Sequence, residues 1–578
     1  MNRPTEPRGF ALMTIMLVML VAAALATSAV MMGSNHILAN RYLERSSMLE
    51  DLAEEGLEMG RTALNADKTL YPDSGYTTLV SGQTVYDGQG NAIPGVTRAI
   101  YAGPTGVTSG QYGVFGSIVA VVEDQTGAKA IRRSQVYQES FARYAYFTDF
   151  EPSNISFGGG DQIFGPVHTN DYLKIYSSGA TFHGETRTAK TVSGASYGTF
   201  KKGYEEHVSE IAMPETAELA KLQTQASAGS MSFVGGQSGA YGESTFRIEF
   251  VAVDMNLDGD TNDENEGFIR VYSGGDYRWV TAEIPSAGMD DSPNCGDYHS
   301  GVFRSALDHP NSGHDWGDAL TSSSRRCYLG GDPELTGGVF TPVSPGGRGE
   351  WQRWNGPVSP TLVARVGATE AQYLHPINRP LNPAFKGVIY VDGKVAISGT
   401  LRGRVTLAAT EQIIIADDVV YSVDPGTGTC EDILGMFSGE DVIVADNTIN
   451  APQRPASGWG YRTYDDTRDE FIHGVVLALN IFTVENYSSG SGSAEDCEST
   501  NWGRGCLYLT GGIIQRTRGA VGTSGGTGNL KRYSYDTCGA TDPPPYFPTT
   551  GHFSRAQIYN VDPVGFNVAD YFAQLAAN

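Results

Sequence analysis

The segment DMNLDGDTNDENEGF carries a dense run of hard oxygen donors. Asp254, Asn256 and Asp258 alternate, Gly259 supplies a sharp turn and Asp260 follows. This matches the first half of an EF-hand-type loop, where oxygens at positions one, three, five and seven converge on one cation. The twelfth position is Asn265, so Asp263, Glu264 or Glu266 must complete the shell. So much like charge repels itself without a cation, which makes Ca2+ the expected ligand of Asp254, Asn256, Asp258, Asp260 and Glu266.

Cysteine is the second source of chemistry. Six cysteines, all after residue 294, are even in number and include no C-x-x-C pair. Behind an export segment they read as disulfides rather than a metal cluster. Cys497 and Cys506 bracket a short loop, and Cys295 and Cys327 fall in one insertion. Cys430 and Cys538 then pair by elimination, although spacing alone does not fix the connectivity.

Other motifs carry less. Gly194 to Gly198 matches G-x-S-x-G, a chance match in a glycine-rich chain with no strand-to-helix elbow around it. His309 and His314 lack ligand spacing, and no phosphate-binding loop precedes a helix. No catalytic constellation emerges. Basic groups occur at Arg325-Arg326, Arg402 to Arg404, Arg516 to Arg518 and Lys531-Arg532. On a shared face they could touch DNA. The net charge of −25 disfavours a protein that coats nucleic acid.

The elements that must carry these groups begin with the opening segment. From Gly9 to Asn35 the chain holds no charge, and Phe10 to Gly33 is long enough to cross a ~30 Å hydrocarbon core as a helix. Arg3 and Arg8 ahead of it suit a cytoplasmic flank. A cleaved signal peptide ending at Ala24-Leu25-Ala26 is the competing reading. The chain beyond Asn35 has no proline and good helix formers, with Leu38, Tyr42, Leu49, Leu52, Leu57 and Leu64 forming a stripe. One helix is therefore expected over residues 10–65, roughly 80 Å long.

A polar leader ending in Gly9, then Phe10, then an apolar helix that continues past the membrane, resembles the class III signal of type IV pilins and type II secretion pseudopilins. The resemblance implies cleavage by a prepilin peptidase after Gly9 and methylation of Phe10. The stretch from Leu52 to Leu64, LAEEGLEMGRTAL, is similar to the helix of minor pilins. Family members usually carry Glu at the fifth mature position, where it pairs with a neighbour's N-terminal amine; here it is Thr14. That departure resembles tip-class subunits.

After the helix, residues 66–110 read as a loop-like, Gly/Thr/Tyr-rich stretch. Tyr112 to Asp124 and Ala130 to Phe141 read as strands around the turn QTGA, within a pilin-like sheet over 66–150. Short β-branched runs such as VIYV, VTLAA and IIIA then recur between Gly and Asp turns, which favours a parallel β-solenoid over a sandwich. The segments FGPVHTND, GVIYVDGKV and PPPYFP resemble the head of the ComZ type of very large minor pilins, which insert a β-solenoid into a pilin sheet.

The expected fold is mainly β: a leader (1–9), a transmembrane and assembly helix (10–65), a small antiparallel sheet (66–150), a solenoid head (151–450) interrupted by an insertion at about 225–360, and C-terminal coils with a cap (451–578). The expected function is that of a non-catalytic minor pilin or pseudopilin, held in the bacterial inner membrane and then displayed at the cell surface or in the periplasm. Its expected partners are other pilins, the prepilin peptidase, and an extracellular ligand or DNA. The competing readings are a β-solenoid enzyme acting on polysaccharide, which would need clustered carboxylates on one face, and a surface adhesin outside any pilus.

Overall fold

The computed structural model describes residues 8–105, 111, 113–236, 244–274, 281–283, 296–299, 302–305, 326–328, 349–445, 461–462, 470–485, 487–488, 506–523 and 526–577. The chain divides into two compact units. Met1–Thr108, Val114–Tyr137 and Gly551–Asn578 form the first; Gln138–Thr550, with Ser109–Gly113, forms the second. The second unit is thus an insertion in the chain of the first.

The first unit opens with helix α1, Arg8–Ala66. Four strands follow: β1 (Thr77–Tyr86), β2 (Ala92–Pro104), β3 (Phe115–Asp124) and β4 (Lys129–Ser140). They form an antiparallel meander, and the C-terminal strand Thr549–Val561 adds beside β4 as the fifth member of the sheet. The QTGA turn joins β3 to β4 with Gly127 at φ +81°, a conformation that favours glycine. Asp124 closes it, its Oδ1 accepting hydrogen bonds from the Thr126 amide and hydroxyl at 2.8 and 2.7 Å.

Two sequence expectations are revised here. The stretch read as a loop over 66–110 holds β1 and β2. Strand β1 lies at the edge, its side chains do not alternate, and its register with β2 shifts between Thr78 and Val80 and again before Gln83. Bulges of that kind erase the period-two signal. The C-terminal residues 551–577, read as part of a cap on the coils, belong instead to the five-stranded sheet's unit.

The second unit is built on parallel ladders within a large mixed sheet. One in-register row runs Ser232, Tyr390, Ala408, Phe437, Leu477, Ile514, Phe147, His168, Arg187, Glu205. A second ladder joins Phe246–Ala252, Val395–Leu401, Ile413–Tyr421, Val442–Val444 and Phe482–Val484. Strand Phe246–Ala252 also pairs antiparallel with Gly267–Gly274. Side chains on both faces are covered, as in the run Ile413, Ile414 and Ile415, each fully buried. That is why these segments read as unbroken apolar runs rather than alternating ones. Strands Ser232–Val234 and Phe246–Ala252 are rungs of these ladders, so the body extends past residue 225, where the sequence suggested an insertion. Ser232–Val234 is only three residues long and flanked by Gly229 and Gly235, which hid it.

Candidate functional site

Helix α1 has two environments. Its first half exposes its apolar side chains: Phe10, Leu20, Met31 and Leu38 are each more than half exposed. The most apolar 18-residue window has a mean hydropathy of 2.5, and none of it is buried. The two threonine hydroxyls in this half are satisfied internally. Thr14 Oγ1 donates to the Phe10 carbonyl and Thr27 Oγ1 to the Ala23 carbonyl, both at 2.8 Å.

The second half lies on the sheet. Leu49, Ala53, Leu57 and Leu64 are buried against Ile100, Ile118, Ala120 and Val122. Two glycines bring the backbones together: a Cβ at Gly60 would stand 2.7 Å from Ile118 Cγ2, and one at Gly56 would stand 2.9 Å from Ala120 Cβ. Arg98, buried under the helix, donates from Nη1 to Glu55 at 2.9 Å and to the Leu52 carbonyl at 3.3 Å. Arg132 pairs with Glu50 at 2.8 Å. At the helix end the Asn65 amide bonds both backbone groups of Phe553, at 3.2 and 2.7 Å. The stripe read from sequence therefore splits, because Leu38 and Tyr42 are exposed while Leu49, Leu57 and Leu64 are buried. Sequence reading missed Gly56, Gly60, Arg98 and Asn65; the Gly-x-x-x-Gly spacing on the buried face was the available signal.

A groove of about 600 Å³ marks where the helix leaves the sheet, lined by Tyr42, Arg45, Leu49, Ile131, Arg132 and Val561 among others. Arg45, on its wall, pairs with Asp124. Burial pushes the Asp124 carboxyl up, but the Thr126 hydroxyl and amide, the Ala128 amide and the Arg45 guanidinium together hold it below the usual carboxylate range.

The acidic loop folds on itself. Asp254 accepts from the Leu257 and Gly259 amides, the latter at 3.1 Å; Asn256 Nδ2 donates to Asp258 and Asp263 at 2.9 and 2.7 Å; Asp260 accepts from Asn262 at 3.2 Å. Glu266 is fully buried, and its two oxygens accept from the Met255 and Asp263 amides at 2.6 and 2.8 Å. It thereby ties the two ends of the loop together. Among the described residues, no three His, Cys, Asp or Glu side chains are gathered as a metal-binding group.

Cys430 and Cys538 form a disulfide. Cys506 is buried and disulfide-bonded. Cys295, Cys497 and the side chain of Cys327 lie outside the described residues, as do His309 and His314.

Among the described residues, several of the basic groups are paired with carboxylates. Arg402 is buried and pairs with Asp432 at 2.8 Å, Arg404 pairs with Asp542, and Lys531 pairs with Asp161 at 3.0 Å. Arg518 is buried beneath Phe157, 3.8 Å from the ring centre, and pairs with Glu151 at 3.1 Å. Glu151 also accepts from the Tyr146 and Thr148 hydroxyls at 2.8 and 2.7 Å. Arg402, Arg518 and Lys531 are thus committed to buried carboxylates, and Arg404 to a more exposed one. Arg325 and the side chain of Arg326 lie outside the described residues.

No family model matches the chain, and no curated protein does. Among solved structures, the crystal structure of the competence-associated pilin ComZ from Thermus thermophilus is similar at 10% identity over 89% of this chain and 97% of that one. The TM-score is 0.29, a likeness too distant to carry fold or function across.

Proposed function

We propose that this chain is a non-catalytic subunit of a pilus-like filament, of the minor pilin or pseudopilin class. The observation that carries the reading is the divided helix: an exposed apolar half continuous with a half seated on a small antiparallel sheet. The exposed half serves as membrane anchor before assembly and as packing surface among neighbouring helices afterwards. The prepilin peptidase cuts between Gly9 and Phe10, and Phe10 is methylated. The parallel ladders support a β-solenoid head, displayed outside for adhesion, DNA uptake or assembly priming; the internal pairing of Arg402, Arg404 and Arg518 lends DNA capture no support.

N-terminal sequencing of the mature protein tests the reading. It should return Phe10, with Gly9→Val blocking cleavage; a start at Thr27 would mean an ordinary signal peptide and end the filament proposal.

We place the subunit at a filament tip. Thr14 offers no carboxylate to a neighbour's amine, and its hydroxyl is already bonded to Phe10. Immunogold labelling should mark fibre ends, and label along the shaft would refute the tip assignment. Thr14→Glu should raise incorporation if charge pairing is the limit.

The loop from Asp254 to Glu266 is proposed to bind Ca2+, on the strength of its oxygen spacing. Calorimetry should show calcium binding that Asp254→Ala with Asp258→Ala removes; no heat and no calcium-dependent melting shift would leave a self-bonded acidic loop.

A further inference from the structure

A cleft of about 470 Å³ lies in the second unit, within the size range of small-molecule sites. Its wall includes Ser230, Ser232, Gln352, Trp354, Asn355 and His375. The floor is His375. Its ring is buried and held edge-on by two aromatic rings, Trp354 with centroids 5.5 Å apart and Phe233 at 6.1 Å. Nδ1 of His375 makes no hydrogen bond among the described residues, while the Ile269 and Tyr373 backbone beside the ring favours the protonated imidazole. Burial outweighs this effect and keeps the imidazole neutral, so the ring presents one N–H and one bare nitrogen.

The rim is held in an unfavourable backbone conformation. Ser230 follows the helix Ala217–Ala228 and has φ +58°. The turn is locked by Ser230 N to Ser227 O at 3.2 Å, Met231 N to Ala226 O at 3.0 Å, and the Asn382 side chain on the Gly229 carbonyl at 2.9 Å. These two backbone bonds are the Schellman pattern that closes many helices, and they fix Ser230 at the rim. Trp354 is fixed as well, its amide donating to Gln372 at 2.8 Å and its indole N–H to Pro357 at 3.3 Å.

The chemistry of the wall selects the ligand. Arg353 is the one charged side chain among its described lining residues, and that guanidinium already lies over the Tyr373 ring at 5.7 Å. An anion would find only this one exposed guanidinium to pair with, its charge screened by water. A wholly apolar ligand would strand the serine hydroxyls and the Gln352 and Asn355 amides without water. A ligand with hydroxyls around its edge and a C–H face for an indole satisfies both demands. We propose that this cleft binds a neutral pyranose sugar, with Trp354 against the ring face and His375, Gln352 and Asn355 bonding its hydroxyls. The proposal is independent of filament assembly.

Saturation-transfer difference NMR on the full chain tests it, in lauryldimethylamine oxide micelles, whose headgroup is not a sugar. The probes are the methyl pyranosides of glucose, galactose, mannose and N-acetylglucosamine. At least one should receive saturation at its ring C–H protons. Trp354→Ala and His375→Ala should each weaken binding tenfold or more, while Tyr176→Ala, outside the cleft, leaves it unchanged. If either cleft variant loses its native melting transition, Asn355→Ala and Trp354→Phe take its place and must weaken binding with the melt intact. Transfer to none of the four sugars overturns the proposal. So does transfer that survives the folded cleft variants, or transfer confined to short serine- and glycine-containing peptides used as controls.

Discussion

The two halves of helix α1 share one secondary structure and differ in what covers them. In the second half, Glu50, Glu54, Glu55, Glu58 and Arg61 leave a narrow apolar stripe, which the chain's own sheet buries. In the first half apolar side chains occur all round and the described chain covers none of the most apolar window. Exposed apolar area disfavours solution in water by about 25 cal/mol per Å². The second half is therefore a solved packing problem, and the first is one left for another medium or another molecule. The boundary near Arg45 is where charge first pairs with the sheet, through Asp124.

The strongest way to break this comparison is to remove the first half. A chain starting at Glu44 should stay soluble without detergent and keep its melting temperature; a lower melting temperature would mean that the exposed half also stabilises the fold. Next in size is a paired substitution. Gly60→Leu forces a side chain into Ile118 and Ile100 and should cost about 3 kcal/mol, read as a drop in melting temperature. Gly33→Leu meets nothing within 4 Å and should leave the melt unchanged. Equal effects would show that the halves are not distinct.

A third test moves to the inserted unit. Burial holds His375 down at about 4, and His168 and His473 are also lowered by burial. Their unfolded counterparts take up protons near pH 6.5. The folded state then binds fewer protons than the unfolded one, so stability present above pH 6.5 is lost as pH falls toward the folded values. For His375 alone the loss between pH 7 and 5 is about 2 kcal/mol. His375→Gln should flatten that slope in an acid melting series. The smallest effect is expected from Asn65→Ala, which removes the paired bonds to Phe553 and should cost about 1 kcal/mol in the same melts.

Local features were legible where the cause was local. The uninterrupted helix, the QTGA turn and the hairpin around it follow from propensity and turn chemistry within a few residues. The split of the leucine stripe was not legible, since Leu38 and Leu49 are alike as residues and differ only in whether the sheet reaches them. Gly60 could be read only once Ile118 was known to sit beneath it. The long-range joins of the strand row were beyond reach for the same reason: Ile514 pairs with Phe147 across most of the chain. Similarly, the arginines at 402, 404 and 518 read as surface charge because their carboxylate partners are distant in sequence or carry no motif.

That long-range pairing also sets the order in which the inserted unit can be completed. Strand Tyr146–Phe150 accepts Val167–Thr169 on one edge soon after both exist, but its other edge waits for Cys506–Thr517. The two ends of the unit then meet, with Phe141 N bonding the Pro548 carbonyl at 3.0 Å and Thr549 Oγ1 bonding Gln138 at 2.7 Å. A partly synthesised chain therefore carries an open strand edge until almost its whole length has emerged, a condition that slows folding and invites mispairing between copies. Holding nascent chains apart is thus a requirement of the topology itself, before any question of where the finished subunit is used.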